Sequence, residues 1–111
     1  MRSSSEVHVV KASLFRVLGH PARVRILELL RDGGERSVGA LQAELELDSG
    51  GTSQHLAALR RVGLVESRRE GTSVYYRVED ASVFVLLETA RALITRQLTE
   101  QQSILQDLEA S

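Results

Sequence analysis

Cysteine is absent from this 111-residue sequence. Disulfides, thiolate metal sites and thiol redox sensing are therefore excluded, while the redox compartment is left open. Proline occurs once, at Pro21, and only one pair of strand-like segments is found, so the class is mostly α with a small β-hairpin. No uncharged apolar run approaches the roughly 18 residues that span a bilayer, and the N-terminus lacks the apolar core of a signal peptide. The expectation is a cytoplasmic protein that makes no use of a membrane. A glycine-rich phosphate loop is missing, and Asp, Ser and His nowhere form a triad-like motif on a strand-to-helix elbow, so no enzyme is expected. Neither sign of charge dominates, the formal net charge being −1.

That small net charge is unevenly distributed. Residues 1–51 carry seven basic and seven acidic side chains. Residues 52–78 carry Arg60, Arg61, Arg68, Arg69 and Arg77 against Glu66 and Glu70, a net of +3. Residues 79–111 carry Arg91 and Arg96 against six carboxylates, a net of −4. Positive charge confined to one segment is what a DNA footprint needs; the alternative is a chance excess on a solvated face. Length gives a single domain over 1–111 with a modest core, a size at which pairing with a second copy helps. The 42% apolar and 26% charged content is ordinary for a globular chain.

Apolar spacing sets out the helices. Ser3 to Ser5 offer N-caps, Glu6 suits a first turn, and Val7, Val10, Leu14, Val17 and Leu18 form one stripe. Gly19-His20-Pro21 breaks that helix, and Pro21 to Leu30 forms the next, apolar at nearly every turn and so central to the core. Asp32-Gly33-Gly34 is a turn. Ser37 caps a third helix with Val38, Leu41 and Leu45 inward; residues 46–51 form a long turn with two glycines. Thr52 to Val62 is the fourth helix, with Leu56 and Leu59 inward and Gly63 as its positive-φ exit. A two-stranded ribbon follows, Val65 to Arg69 and Ser73 to Val78, turning at Glu70-Gly71. In its second arm Val74, Tyr76 and Val78 alternate with Ser73, Tyr75 and Arg77, so one side is buried. From Asp80 the chain is helical again, either as one extended helix or as two. Val83, Leu86, Leu87, Ala90, Leu93, Ile94 and Leu98, then Ile104, Leu105 and Leu108, form a band too wide for so small a domain to cover. A homodimer through the first helix (5–18) and the last (80–109) is the physical answer; a bent helix folding back on its own domain is the alternative.

Between those helices, residues 37–62 read as a helix-turn-helix reader and 65–78 as a wing. The blocks LGHPARVRILELL and TSQHLAALRRVGLVESRREGTSVYYRV closely resemble the ArsR–SmtB family of bacterial winged helix-turn-helix transcription regulators, over residues 12–96. The resemblance implies a homodimer that binds an inverted repeat in double-stranded DNA at a promoter, usually as a repressor released by an inducer.

Residues can be assigned to DNA contact on that basis. Gln54 carries an amide able to pair with adenine in the major groove. His55 reads a base or phosphate, or is built into the turn. Ser49, Thr52 and Ser53 have short hydroxyls near a helix N-terminus that favours phosphate, one of them also serving as the cap. Of Arg60 and Arg61, one clamps a phosphate and the other is solvated. Arg68, Arg69 and Thr72 at the wing tip meet flanking backbone or minor groove. Tyr75 supports the wing or touches the sugar-phosphate, and Tyr76 belongs to the core. His20, at the helix break, is read as a cap.

Many members of that family sense metals. The cysteine pair of the third-helix type is replaced here by Ser37-Val38-Gly39-Ala40-Leu41. Of the last-helix zinc set only Asp80 is kept, the other positions falling on Ser82, Leu93 and Arg96. His8, with Glu6 or a partner's carboxylate, is the one remaining candidate ligand for nickel or zinc, a surface histidine being the alternative. The effector is thus a metal ion, a small organic molecule between the long helices, or none. A winged-helix module that binds a protein partner without reading DNA is the competing reading.

Overall fold

Nearly every turn of the segment after His20-Pro21 carries an aliphatic residue, and the structure puts that segment at the centre. The computed structural model describes residues 6–111. In chain order these form α1 (Val7–Leu18), α2 (Pro21–Gly33), β1 (Arg36–Ser37), α3 (Val38–Leu45), α4 (Ser49–Arg61), β2 (Glu66–Glu70), β3 (Ser73–Arg77) and α5 (Ser82–Ala110). They fall into two compact units, one ending at Ala81 and the other Ser82–Ser111, and each is described by itself.

Helix α2 starts where proline needs no amide hydrogen. His20 precedes it in extended backbone and its Nδ1 accepts a hydrogen bond from the Ala22 amide at 3.2 Å. Ile26, Leu27, Leu29 and Leu30 are buried, and the helix lies against α1, α3 and α4. It outlasts the expected end at Leu30: Asp32 and Gly33 remain helical, and the stop falls on Gly34 at φ 67°. Leu41 of α3 and Leu56 and Leu59 of α4 close on Ile26 and Leu27 as a core without solvent exposure. Each such side chain contributes about 1.5–3 kcal/mol of burial.

The helix-turn-helix connection is shorter than the glycines suggest. Helix α3 is capped by Ser37, whose Oγ accepts from the Ala40 amide at 3.1 Å. It ends on Glu46 in the left-handed region, φ 54°, with the Glu46 and Leu47 amides bonded back to Ala43 and Gln42. Only Glu46, Leu47 and Asp48 separate it from α4. Asp48 is the cap of α4, its Oδ1 accepting from the Gly51 amide at 2.6 Å, so Ser49-Gly50-Gly51 form the first turn rather than a loop. Helix α4 therefore begins three residues before the expected Thr52. Its exit is as expected: Gly63 at φ 78° lets the Gly63 amide reach the Arg60 carbonyl and the Leu64 amide that of Leu59, and Leu64 and Val65 return to the core.

The expected two-stranded ribbon is a three-stranded antiparallel sheet in the order β1-β3-β2. Arg36 faces Tyr76 and Ser37 faces Tyr75, so β3 is central. On the other side Ser67 faces Tyr76, Arg68 faces Tyr75 and Arg69 faces Val74. The expected alternation in β3 is correspondingly blurred. Ser73 to Tyr76 are all half-buried, Tyr76 included, because both faces of the strand are partly covered.

Helix α1 leaves Val7, Val9, Val10 and Phe15 at least half exposed and buries only Leu18. The caps expected at Ser3 to Ser5 lie outside the described residues, and Glu6 occupies the cap position with no side-chain capping hydrogen bond. The last segment is one continuous helix, α5, on which Leu93, Ile94, Leu98, Ile104, Leu105 and Leu108 are exposed. No helix among the described residues is long and apolar enough to cross a membrane.

Candidate nucleic-acid interface

The spacing of its buried residues sets which side of α4 faces outward. Thr52, Leu56, Ala58 and Leu59 are turned inward. Ser49, Gly50, Ser53, Gln54, Ala57, Arg60 and Arg61 are exposed. Spacings of three and four bring Ser53, Ala57 and Arg60 onto one strip, with Gln54 and Arg61 beside it. Ser49, Ser53, Gln54, Arg60 and Arg61 thus share a single solvent-facing surface.

Thr52 does not join them. It has no exposed surface, and its hydroxyl donates to the Asp48 carbonyl at 3.0 Å. The contact expected of it is withdrawn, because Thr52 lies four and seven residues before the buried Leu56 and Leu59 and so shares their core face. The cap expected among Ser49, Thr52 and Ser53 is likewise supplied by Asp48.

His55 is half-buried and committed to the protein. Its Nδ1 accepts from Arg23 Nε at 3.1 Å, and its ring lies 4.3 Å from that of His20, tilted by 53°. Arg23 also donates to the Val17 carbonyl at 3.3 Å, tying the end of α1, the start of α2 and the middle of α4 together. Burial holds the His55 imidazole below its usual pKa, and the neighbouring His20 and Arg23 act in the same direction. Of the two readings open for His55, the geometry selects the structural one.

The wing arginines separate. Strand alternation puts Ser67 and Arg69 on one face with Val74 and Tyr76, and Glu66, Arg68 and Glu70 on the other with Ser73, Tyr75 and Arg77. The first face looks towards α4: Tyr76 shares a shallow groove with Ala57, Arg60 and Arg61, and Val74 shares another with Ser53, Thr72 and the start of α3 at Ser37-Val38-Gly39. Arg69 is exposed there and makes no ion pair or side-chain hydrogen bond with the other described residues, as is also true of Arg60 and Arg61. Thr72 is exposed at the hairpin tip after Gly71, whose φ of 61° permits the tight turn.

Arg68 is fully engaged on the opposite face. Its Nε lies 2.9 and 2.8 Å from the two oxygens of Glu35, its Nη1 donates to Glu70 at 2.8 Å, and its guanidinium stands 4.6 Å over the Tyr75 ring. The hydrogen bonds from Arg68 hold the Glu35 carboxyl below the usual range, and Glu35 and Glu70 hold Arg68 more firmly protonated. Tyr75 lies under Arg68 and is half-buried. Two residues of this surface escaped the sequence reading. Ala57 was legible from its spacing to Ser53 and Gln54, whereas Glu35, 33 positions from Arg68, left no local signal.

His8 is exposed on α1. Among the described residues no three His, Asp or Glu side chains gather into a metal site.

Comparisons with known proteins find helix-turn-helix regulators of the same fold. A helix-turn-helix domain model matches residues 18–68. The HTH-type transcriptional regulator Rv0081 of Mycobacterium tuberculosis is 41% identical over 108 residues, 96% of this chain and 94% of that protein. The transcriptional activator HlyU of Vibrio cholerae is 40% identical over 72% of this chain and 73% of its own length, and a biofilm growth-associated repressor of Agrobacterium fabrum 38% identical over 74% and 69%. The crystal structure of Rv0081 superposes with a TM-score of 0.79, covering 86% of this chain and 95% of that one. The homodimeric winged helix-turn-helix DNA-binding domain of Mb0332 from Mycobacterium bovis, described as a possible ArsR-family regulator, gives 0.74 at 32% identity, covering 88% and 92%. Sequence, wing and reader helix agree: the chain belongs to the ArsR family of winged helix-turn-helix transcription regulators.

Proposed function

We propose that the protein acts as a homodimeric repressor that binds an inverted repeat in its target promoter, with α4 in the major groove and the β2–β3 wing against the flanking backbone. The observation that carries this is the strip Ser53, Gln54, Ala57 and Arg60, uncommitted, solvent-facing and backed by the buried Leu56 and Leu59. Gln54 reads adenine, Ala57 offers an apolar contact for a thymine methyl, and Ser49 and Ser53 hydrogen-bond to backbone oxygens. Arg60, Arg61 and Arg69 neutralise phosphates, and Thr72 adds a hydroxyl at the wing tip. The working module has its reader over 37–62, its wing over 65–78 and its dimerisation helices in α1 and α5.

Dimerisation is supported by the exposed aliphatic side chains on α1 and by those on α5. A twofold pair of readers matches an inverted repeat. Among the relatives, the Agrobacterium repressor supports repression and HlyU supports the second reading, activation from the same DNA-bound state. No effector is assigned. The deciding experiment is fluorescence anisotropy on the gene's own upstream duplex, with and without nickel, zinc and a chelator, followed by transcription from that promoter in vitro. Salt-dependent binding of one dimer per site with transcription reduced is the expected result; affinity independent of sequence would overturn the reading.

A further inference from the structure

The face of the wing turned away from α4 carries Arg68 and Arg77 among Glu35, Glu66, Glu70 and Glu79, more negative than positive. A phosphate brought to Arg68 would meet two carboxylates already on its guanidinium. All three nitrogens of that group are committed, Nε and Nη2 to Glu35 and Nη1 to Glu70. Its flat side lies on Tyr75. Glu35 stands outside the hairpin, just after α2 and immediately before β1, and β1 pairs with β3 through Ser37 and Tyr75. The hairpin is thus fixed at its outer strand by a salt bridge and at its inner strand by the sheet. Adjacent Arg69, on the α4 side, has no such partner among the described residues.

We propose that Arg68 and Glu35 are positioning residues for DNA recognition: their forked ion pair sets the wing's angle relative to α4, and Arg69, not Arg68, provides the charged phosphate contact of the β2–β3 hairpin. This rests on the DNA-binding reading above. The two arginines, equivalent in sequence, then divide the work, one holding the wing and the other touching the duplex.

The sign of one substitution separates this from plain electrostatics. Removing a negative charge from a DNA-binding surface ordinarily strengthens binding. If Glu35 positions the wing, Glu35→Gln weakens it instead, by up to about fivefold given the worth of exposed ion pairs. Arg68→Ala weakens binding to a similar extent while leaving the salt slope of log Kd unchanged, and Arg69→Ala lowers that slope by about one ion. Arg68→Lys fails to restore affinity, because an ammonium cannot span both Glu35 oxygens, whereas the exchange Glu35→Arg with Arg68→Glu recovers part of it. Amide hydrogen exchange at Arg69 to Ser73, measured without DNA, rises in Glu35→Gln. A slope reduced by Arg68→Ala, or affinity raised by Glu35→Gln, would overturn the proposal. Were the wild-type chain to bind no duplex, the DNA reading would fall, and unchanged exchange in Glu35→Gln would separately dispose of the ion pair as a positioning device.

Discussion

Arg23 Nε donates to His55 Nδ1 across 3.1 Å, joining the first turn of α2 to the middle of the reader helix. Only a neutral imidazole can accept that bond, since a protonated ring presents a second donor to a guanidinium.

The stability of the fold should therefore depend on pH through His55. Its pKa is lowered in the folded chain from the usual 6.5, so the unfolded chain takes up the proton first. The contribution is complete above that value and is lost as the pH falls through it towards the folded pKa. Urea unfolding between pH 8 and 5 should show stability declining below about 6.5. In His55→Gln, which cannot titrate, that part of the decline should vanish.

Thr52 and Gln54 are two residues apart on α4 and should behave oppositely. Thr52→Val removes a buried hydroxyl whose acceptor, the Asp48 carbonyl, keeps its bond from the Thr52 amide. It should cost about 0.5–1.5 kcal/mol of stability and leave DNA affinity within about twofold. Gln54→Ala should leave the melting temperature unchanged and cost about 1–3 kcal/mol of binding, with relaxed preference at one base pair. Thermal melts and anisotropy on matched and mismatched duplexes check both.

Glu46 closes α3 at φ 54°, where a Cβ is disfavoured by roughly 1–2 kcal/mol. Glu46→Gly should stabilise the protein by about 0.5–1 kcal/mol, the smaller figure reflecting the greater freedom of glycine in the unfolded chain. Denaturant midpoints would measure this.

The exposed aliphatic band of α5 should be where protomers meet. Ile94 and Leu98 are 53% and 56% exposed in the single chain. Ile94→Glu with Leu98→Glu should weaken dimerisation by at least about tenfold, because a buried unpaired charge is costly. Far-ultraviolet circular dichroism should keep its helical signal. Sedimentation equilibrium reads the first expectation.

Much of this was legible along the chain. The caps at His20 and Ser37 and the glycine exit at Gly63 follow from residue types at fixed offsets, and the buried faces of α2 and α4 follow from helical spacing. Strand β1 was not, because two residues have no period and Ser37 is also a helix cap. The start of α4 was misplaced because Gly50-Gly51 resembles a turn, while a carboxylate bonding the Gly51 amide is enough to make it helical. Pairings such as Arg23 with His55 and Arg68 with Glu35 join residues more than thirty positions apart, and their chemistry, unlike a cap's, has no fixed offset. They decide which polar residues of the reader and wing are available to a ligand. For that reason the site was less visible than the fold.

The Asp48 cap bears on how a duplex can approach. A helix tip with open amides attracts a phosphate, but here the Gly51 amide is taken by the Asp48 carboxylate, whose charge disfavours another anion at the tip. In the complex proposed above, the polyanion is then met broadside, along the flank from Ser49 to Arg60, with the reader lying along the groove instead of pointing into it.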